Sequence, residues 1–238
     1  MKIAMWSGPR NLSTAMMYAF AARGDCAVVD EPFYAAYLAR TGLDHPMRAE
    51  ILASQSADPE AVIEALTASD PAQKPHFYQK HMAHHMVDGI PREWMADMKN
   101  VFLIRHPARV VASYAKKREA PTLDDLGFRQ QAALFAECRA RGEAPIVIDS
   151  ADIRADPPAM LRKLCAALGL AFTDRMLTWP AGGIPEDGVW AAHWYGAVHR
   201  STGFAGPEGP LPRLDGEYAA LAEKARPFYE ALAGHRLT

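Results

Sequence analysis

The chain has 238 residues, half of them hydrophobic, and a net charge of −2, which suits one α/β domain with a sizeable core and argues against a general nucleic-acid-binding surface. Its three cysteines, Cys26, Cys138 and Cys165, lie far apart without metal-ligand spacing, so buried thiols in a reducing compartment are expected. No apolar run approaches the roughly 18 residues of a membrane span, and no basic segment followed by an apolar signal core opens the chain; a cytoplasmic protein without a membrane or nucleic-acid partner is the expectation.

In chain order, Lys2–Trp6 reads as a short strand, Ser7–Asn11 as a turn, and Leu12–Phe20 as a helix with apolar residues at helical spacing. Cys26–Asp30 predicts a second strand and Phe33–Arg40 a helix. Pro46–Ser69 predicts one or two short helices broken at Ser54–Pro59, and Pro75–Lys80 a third strand. Pro91–Lys99 predicts a helix, Val101–Ile104 a strand, and Pro107–Lys117 and Leu123–Ala140 two further helices. Pro145–Asp149 is the fifth expected strand, Pro157–Leu168 a core-packing helix, and Gly216–Ala233 a final amphipathic helix. The Gly-, Pro- and aromatic-rich stretch 179–212 predicts loops with short helical pieces, serving as a lid or cap rather than a domain boundary. Strands alternating with helices imply a single α/β domain over residues 1–238, with a central parallel sheet of about five strands flanked by helices.

Two segments carry chemistry. In Val101-Phe-Leu-Ile-Arg105-His-Pro107, a buried strand ends in an arginine, Pro107 opens the next helix, and Ser113 lies two turns into it. The C-terminal edge of a parallel strand is where open α/β sheets bind ligands. The arginine fork suits phosphate oxygens and a serine adds a neutral donor. At the N-terminus, Ser7-Gly8-Pro9-Arg10-Asn11-Leu12-Ser13-Thr14 joins a strand to a helix with hydroxyls in its first turn. Unpaired N–H groups and the helix dipole favour an anion at such a place. It is not a Walker A loop, because it has neither a second glycine nor the lysine.

The spacing Arg105-x-Pro107-x-x-x-x-x-Ser113 resembles the 3′-phosphate motif of the sulfotransferases that use 3′-phosphoadenosine 5′-phosphosulfate (PAPS). Pro9-Arg10-Asn11-Leu12-Ser13-Thr14 resembles their 5′-phosphosulfate loop, usually Pro-(Lys or Arg)-Ser-Gly-(Ser or Thr)-Thr. Arg10, Ser13 and Thr14 match; Asn11 stands for Ser and Leu12 for Gly, and glycine is what lets backbone approach phosphate closely. Both motifs follow predicted strands, in the family's order and about ninety residues apart, and the resemblance reaches from Met1 to about Ser150. It implies a three-layer, P-loop-like fold and PAPS as co-substrate, with no metal. Gly8, Arg10, Asn11, Ser13 and Thr14 would serve the 5′ side, and Arg105 and Ser113 the 3′-phosphate.

Asp30-Glu31-Pro32-Phe33-Tyr34 places carboxylates at the end of the second strand. It resembles the Glu-x-His-Phe-Phe stretch of the heparan-type branch, which makes Glu31 the base that takes the acceptor proton. The alternative is that Asp30 or Glu31 caps the next helix. Lys80 at the end of the third strand matches a family lysine that neutralises charge on the transferring group, as Arg10 would. His81, His84 and His85 follow it; a zinc-protease pattern would need His-Glu-x-x-His, and the glutamate is missing. A histidine acting as base, or histidines satisfied in the fold, remain open. Arg200-Ser201-Thr202-Gly203 is loosely similar to the late basic loop that closes over the 3′-phosphate, and Trp190, Trp194 and Tyr195 serve either pocket or core.

The reading is a PAPS-dependent sulfotransferase acting on a hydroxyl or amine of a small-molecule acceptor. Two alternatives accompany it. One is a P-loop-type small-molecule kinase using ATP and magnesium, with Ser13 or Thr14 and Asp30 or Asp149 at the metal. The other is an inactive nucleotide-binding module on the same fold.

Overall fold

Five strands pair into one parallel sheet, β1 (Lys2–Ser7), β2 (Cys26–Asp30), β3 (His76–Met82), β4 (Lys99–Ile104) and β5 (Ile146–Asp149), in the order β2-β3-β1-β4-β5. The structure, a computed structural model, describes residues 1–68, 73–116 and 120–238. Side chains alternate across the sheet, as the strand repeat requires. Ile3 and Met5 pack on one face with α1 (Ser13–Ala21) and α9 (Pro157–Leu168). Ala4 and Trp6 pack on the other with α7 (Phe128–Ala140) and Leu232 of α12 (Gly216–Ala233). A sheet covered on both faces needs apolar runs rather than alternation, and β1 and β4 have them.

Between these elements lie α2 (Tyr34–Thr41), α3 (Arg48–Ser54), α4 (Pro59–Thr67), α5 (Pro107–Tyr114), α6 (Leu123–Leu126), α8 (Ser150–Ala155), α10 (Ala191–Trp194) and α11 (Gly196–His199). All five expected strands form, within two residues of their expected ends. Pro46–Ser69 divides into α3 and α4 at the expected break, and the 179–212 stretch holds the short helices α10 and α11. Ser69 and Lys117, the ends of two expected helices, lie outside the described residues. The three cysteines are buried free thiols. Among the described residues, no helix is long and apolar enough to cross a membrane.

Two helical expectations need correction. Pro91–Lys99 is not an α-helix: a 3₁₀ turn covers Glu93–Asp97, Met98 is extended and β4 begins at Lys99. Asn100, already in the strand, donates to the Met95 carbonyl at 2.8 Å and closes that turn early. The expected helix Leu123–Ala140 is two helices, α6 and α7, broken at Gly127 with φ 72°. The break serves a close approach. Gly127 lies against the Gly8 Cα, and a Cβ added at Gly8 would sit 2.3 Å from the Leu126 carbonyl oxygen.

Parallel pairing puts every strand's C-terminal end at one edge. Sequence neighbours lie on opposite sides of β1, so the chain reverses direction there, at the crevice where such sheets bind ligands. The α7 residue Gln131 closes its inner end, donating to the Trp6 and Leu103 carbonyls at 3.0 and 2.9 Å.

Gly8 therefore tests how tightly this edge is built. Gly8→Ala forces a backbone carbonyl to move and should cost about 1–3 kcal/mol, the range for overpacking. Urea unfolding at neutral pH measures it; a variant as stable as the parent would show that the α6–α7 corner yields freely.

Candidate active site

The loop after β1 turns back on itself through two non-glycine residues in the left-handed region, Arg10 (φ 63°) and Leu12 (φ 74°). Leu12, where the resembling family has glycine, adopts the backbone that glycine would favour. The turn delivers Ser13 and Thr14 into the first turn of α1, whose N-terminus no side chain caps and no acidic residue faces. Those N–H groups are available to an anion. The loop is pinned from outside. Asn11 Nδ2 donates to the Leu103 carbonyl at 3.2 Å, and Ser150 Oγ donates to the Asn11 carbonyl at 2.7 Å.

The two sequence motifs meet here. Arg10 Nε donates to Ser113 Oγ at 3.0 Å, and Arg105 Nη1 donates to the Arg10 carbonyl at 2.7 Å. Burial, together with the neighbouring Arg105 charge, lowers the Arg10 pKa. Among the described residues no carboxylate pairs with Arg10, so two guanidiniums stand side by side beside a helix N-terminus. That arrangement favours an anion.

A second cluster lies at the ends of β2 and β3. Their register sets Asp30 opposite Lys80. Lys80 is fully buried and donates to Asp30 Oδ1 at 2.7 Å, Glu31 Oε1 at 2.5 Å and the Tyr195 hydroxyl at 2.6 Å. Its three hydrogens are thereby all used. Burial works against the Lys80 charge, yet Asp30 and Glu31 outweigh it and hold its pKa above the usual lysine value. Burial is also the largest influence on Glu31 and raises its pKa. Lys80 opposes and Asp30 reinforces, leaving the carboxyl above its ordinary value. Glu31 has φ 41°, a strained conformation for a side-chain-bearing residue.

Both clusters face one cavity of about 290 Å³. Arg10, Asn11, Ser13 and Thr14 line one end together with Arg105 and Ser113. Glu31 and Lys80 line it too, as does an aromatic wall of Tyr34, Trp194 and Tyr195. The histidines separate. His81 points away, stacked on Trp6 at 4.4 Å and paired with Gln79, with burial pushing its pKa down to about 3. His84 and His85 sit on a 3₁₀ turn and line the cavity. Burial, aided by His84, holds His85 well below the usual imidazole value, with its Nε2 4.0 Å from Glu31 Oε2. Among the described residues, no group of three or more His, Cys, Asp or Glu side chains is arranged to hold a metal ion.

Several expected site residues take other places. Gly8 does not line the cavity; it serves the packing contact with Leu126. Lys80, expected at the transferring group, has all its hydrogens committed to Asp30, Glu31 and Tyr195. Of Arg200, Ser201 and Thr202, only Ser201 lines the cavity. Arg200 is exposed, and the Thr202 carbonyl accepts from Trp179 N at 3.2 Å in the pairing of 178 with 203. The late residue that reaches Arg105 is instead Glu208, which accepts from its Nε at 2.9 Å. Tyr195, read only as one aromatic among several, bridges both carboxylates and receives Trp190 Nε1–H at 3.0 Å.

The fold has known counterparts. The family model described as "Sulfotransferase domain" matches residues 1–236, and the chain belongs to that family. It is 39% identical over 98% of its length to the Arabidopsis thaliana branched-chain-amino-acid aminotransferase-like protein 1. It spans only 42% of that relative's length. A sulfotransferase from Alicyclobacillus acidocaldarius shares the fold with a TM-score of 0.55 and 12% identity, over 100% of this chain and 97% of that one. The sulfotransferase domain of the Synechococcus PCC 7002 olefin synthase does so with a TM-score of 0.50 and 18% identity, covering 94% of each chain.

Lys80 holds the second cluster together. Lys80→Met leaves two buried carboxylates without their counter-ion and should cost about 3–5 kcal/mol at neutral pH. Glu31, already raised by burial, then loses the lysine that opposes the rise, so the folded state holds its proton more tightly than the unfolded state and the variant loses stability as pH rises. Unfolding measured between pH 5 and 8 should show the deficit shrinking toward pH 5. A deficit independent of pH would mean that lost packing, not unpaired charge, is responsible.

Proposed function

We propose that the protein is a sulfotransferase that takes its sulfuryl group from PAPS and delivers it to a hydroxyl or amine of a small molecule. The observation that carries the reading is the junction of Arg10, Ser113 and Arg105, which brings the two family-like motifs together at a helix N-terminus, with Arg10 free of any carboxylate partner among the described residues and Arg105 held by Glu208. Such a junction fits the phosphates of a nucleotide. The left-handed Leu12 supports the fit, because the backbone turn survives the loss of glycine. Family membership removes the ground for the ATP- and magnesium-dependent kinase. The plant relative's aminotransferase-like name describes a protein more than twice this length and is not carried over.

When bound, PAPS supplies an activated sulfuryl group; the chain's own residues do the rest. Arg10 with the Ser13 and Thr14 end of α1 holds the 5′ side and faces the charge that develops on the transferring group. Arg105 and Ser113 hold the 3′-phosphate. Glu31 Oε1 is fixed by Lys80 and Tyr195, and the carboxylate takes the acceptor proton. Lys80 acts through Glu31, opposing the burial that raises its proton affinity. The aromatic wall of Tyr34 and Trp194 covers the acceptor and keeps water from the transfer.

Two measurements test this. Glu31→Gln keeps the shape and removes the basicity, so turnover with an accepted acceptor should fall about 10²–10⁴-fold, the scale of general-base loss. Nucleotide affinity should hardly change. Because the Glu31 pKa is raised, the acid limb of the parent's kcat/KM profile should lie above the ordinary carboxylate range, and it should vanish in the variant. An active Glu31→Gln enzyme with an unchanged acid limb would remove Glu31 as base.

Arg105→Ala should weaken 3′-phosphoadenosine 5′-phosphate by about 2–4 kcal/mol, as when one partner of a buried charged contact is lost. Adenosine 5′-phosphosulfate, which lacks the 3′-phosphate, should be affected far less. Equal losses for the two ligands in a calorimetric titration would make Arg105 a structural residue.

A further inference from the structure

Arg105 is not alone at its end of the cavity. Glu208 Oε1 also accepts from Arg154 Nη1 at 3.0 Å, and Arg109 Nε lies 2.8 Å from Glu208 Oε2. The three arginines come from three separate elements: the end of β4, the first turn of α5, and α8. Around them the segment Gly206-Pro207-Glu208-Gly209 is held by its backbone as well. Arg154 Nε donates to the Gly206 carbonyl at 2.8 Å, and Arg109 Nη2 donates to the Gly209 carbonyl. Gly206, Pro207 and Gly209 are exposed, yet the Glu208 side chain retains only 2% exposure. A surface segment thus sends one carboxylate inward, among three guanidiniums.

Among the described residues the charges do not balance. Three guanidiniums face one monoanion, which a phosphate monoester at neutral pH would compensate better. The same segment continues directly from Phe204 and Ala205, which line the cavity that Arg10 and Arg105 share. Glycines flank Glu208, and a Cβ at Gly206 or Gly209 would meet nothing within 4 Å, so neither is held by packing at that point.

We propose that Arg105, Arg109 and Arg154 form one phosphate-monoester site that Glu208 fills as a tethered competitor, and that the 206–209 segment withdraws when a nucleotide 3′-phosphate enters. The proposal rests on the sulfotransferase reading for the identity of that ligand, and on the four side chains alone for the competition. Arg109 and Arg154 are then binding residues for the 3′-phosphate, beyond Arg105 and Ser113. An internal anion lowers the apparent affinity by the fraction of molecules in which the site is open. It also shields three neighbouring cations from one another until the ligand arrives.

The test titrates 3′-phosphoadenosine 5′-phosphate, adenosine 5′-monophosphate and inorganic phosphate against the parent protein, Glu208→Gln and Arg154→Ala. In parallel, glutamyl-endopeptidase cleavage after Glu208 is followed by mass spectrometry. Glu208→Gln should bind 3′-phosphoadenosine 5′-phosphate at least about tenfold more tightly, while adenosine 5′-monophosphate changes less than about twofold. Arg154→Ala should lose about tenfold for the first ligand and nothing for the second. In the parent, 3′-phosphoadenosine 5′-phosphate should accelerate cleavage after Glu208, because the side chain leaves its pocket. Unchanged or weaker binding in Glu208→Gln, or equal tightening for both nucleotides, overturns the competition. If Glu208→Gln fails to fold, the parent's cleavage rate decides: no acceleration by ligand overturns it. Should 3′-phosphoadenosine 5′-phosphate bind none of the proteins, the PAPS reading fails on its own. The competition is then judged by inorganic phosphate, which should accelerate cleavage in the parent and not in Arg154→Ala; no acceleration in the parent overturns it.

Discussion

A lysine ammonium with no solvent exposure governs the architecture of the sheet edge that carries the cavity. Removing such a charge from water costs several kcal/mol, and only close, well-aligned partners offset it. Lys80 has three, and they come from places that the chain must bring together. Asp30 is supplied by the register of β2 on β3, Glu31 by the next residue in a strained left-handed turn, and Tyr195 by a segment 115 residues away. The Tyr195 hydroxyl also contacts both Asp30 oxygens, and Gly188 N donates to Asp30 Oδ2 at 3.1 Å. The C-terminal segment is therefore anchored to the sheet by the same charge that orients Glu31. Seating the aromatic wall and fixing the carboxylate are one event.

The other cluster, after β1, is governed by backbone strain held from outside. Non-glycine residues in the left-handed region cost about 1–2 kcal/mol each, and the loop after β1 holds two of them, Arg10 and Leu12. Such conformations persist where the surroundings over-determine them. Here Asn11 and Ser150 tie the loop to β4 and α8, and Arg105 takes the Arg10 carbonyl. The strain turns the loop so that both the Arg10 side chain and the uncapped start of α1 face the cavity.

Much of this was legible in the sequence because it is local. Short runs rich in apolar residues located four of the strands, and Pro75–Lys80, with Phe77 and Tyr78 at its centre, the third. Two phosphate-like motifs, each after a strand, located the corner that Arg10, Ser113 and Arg105 form. What escaped depends on contacts between distant residues. The Pro91–Lys99 pattern is helical by composition, but an asparagine from the next strand ends it as a short 3₁₀ turn. Gly127 looks like a tolerated helix glycine until Gly8 approaches it. Tyr195 sits among other aromatics, and only its hydroxyl's partners separate it from core. Glu208 lies in a Gly-Pro-rich stretch with no local sign that three arginines converge on it.

The same geometry bears on which group is the better base. His81 is turned into the core against Trp6, and His85 lines the cavity beside Glu31. Burial depresses both imidazoles, so accepting a proton there means forming a charge in a place that disfavours it. Glu31 is shifted the other way. Its burial and the Asp30 charge raise its proton affinity, and Lys80 opposes them. A carboxylate moved toward neutrality is a stronger base than an ordinary one, and a buried imidazole moved toward acid is a weaker one. One environment therefore separates the two kinds of group, and within the proposed reaction it favours Glu31 over His85 as the proton acceptor.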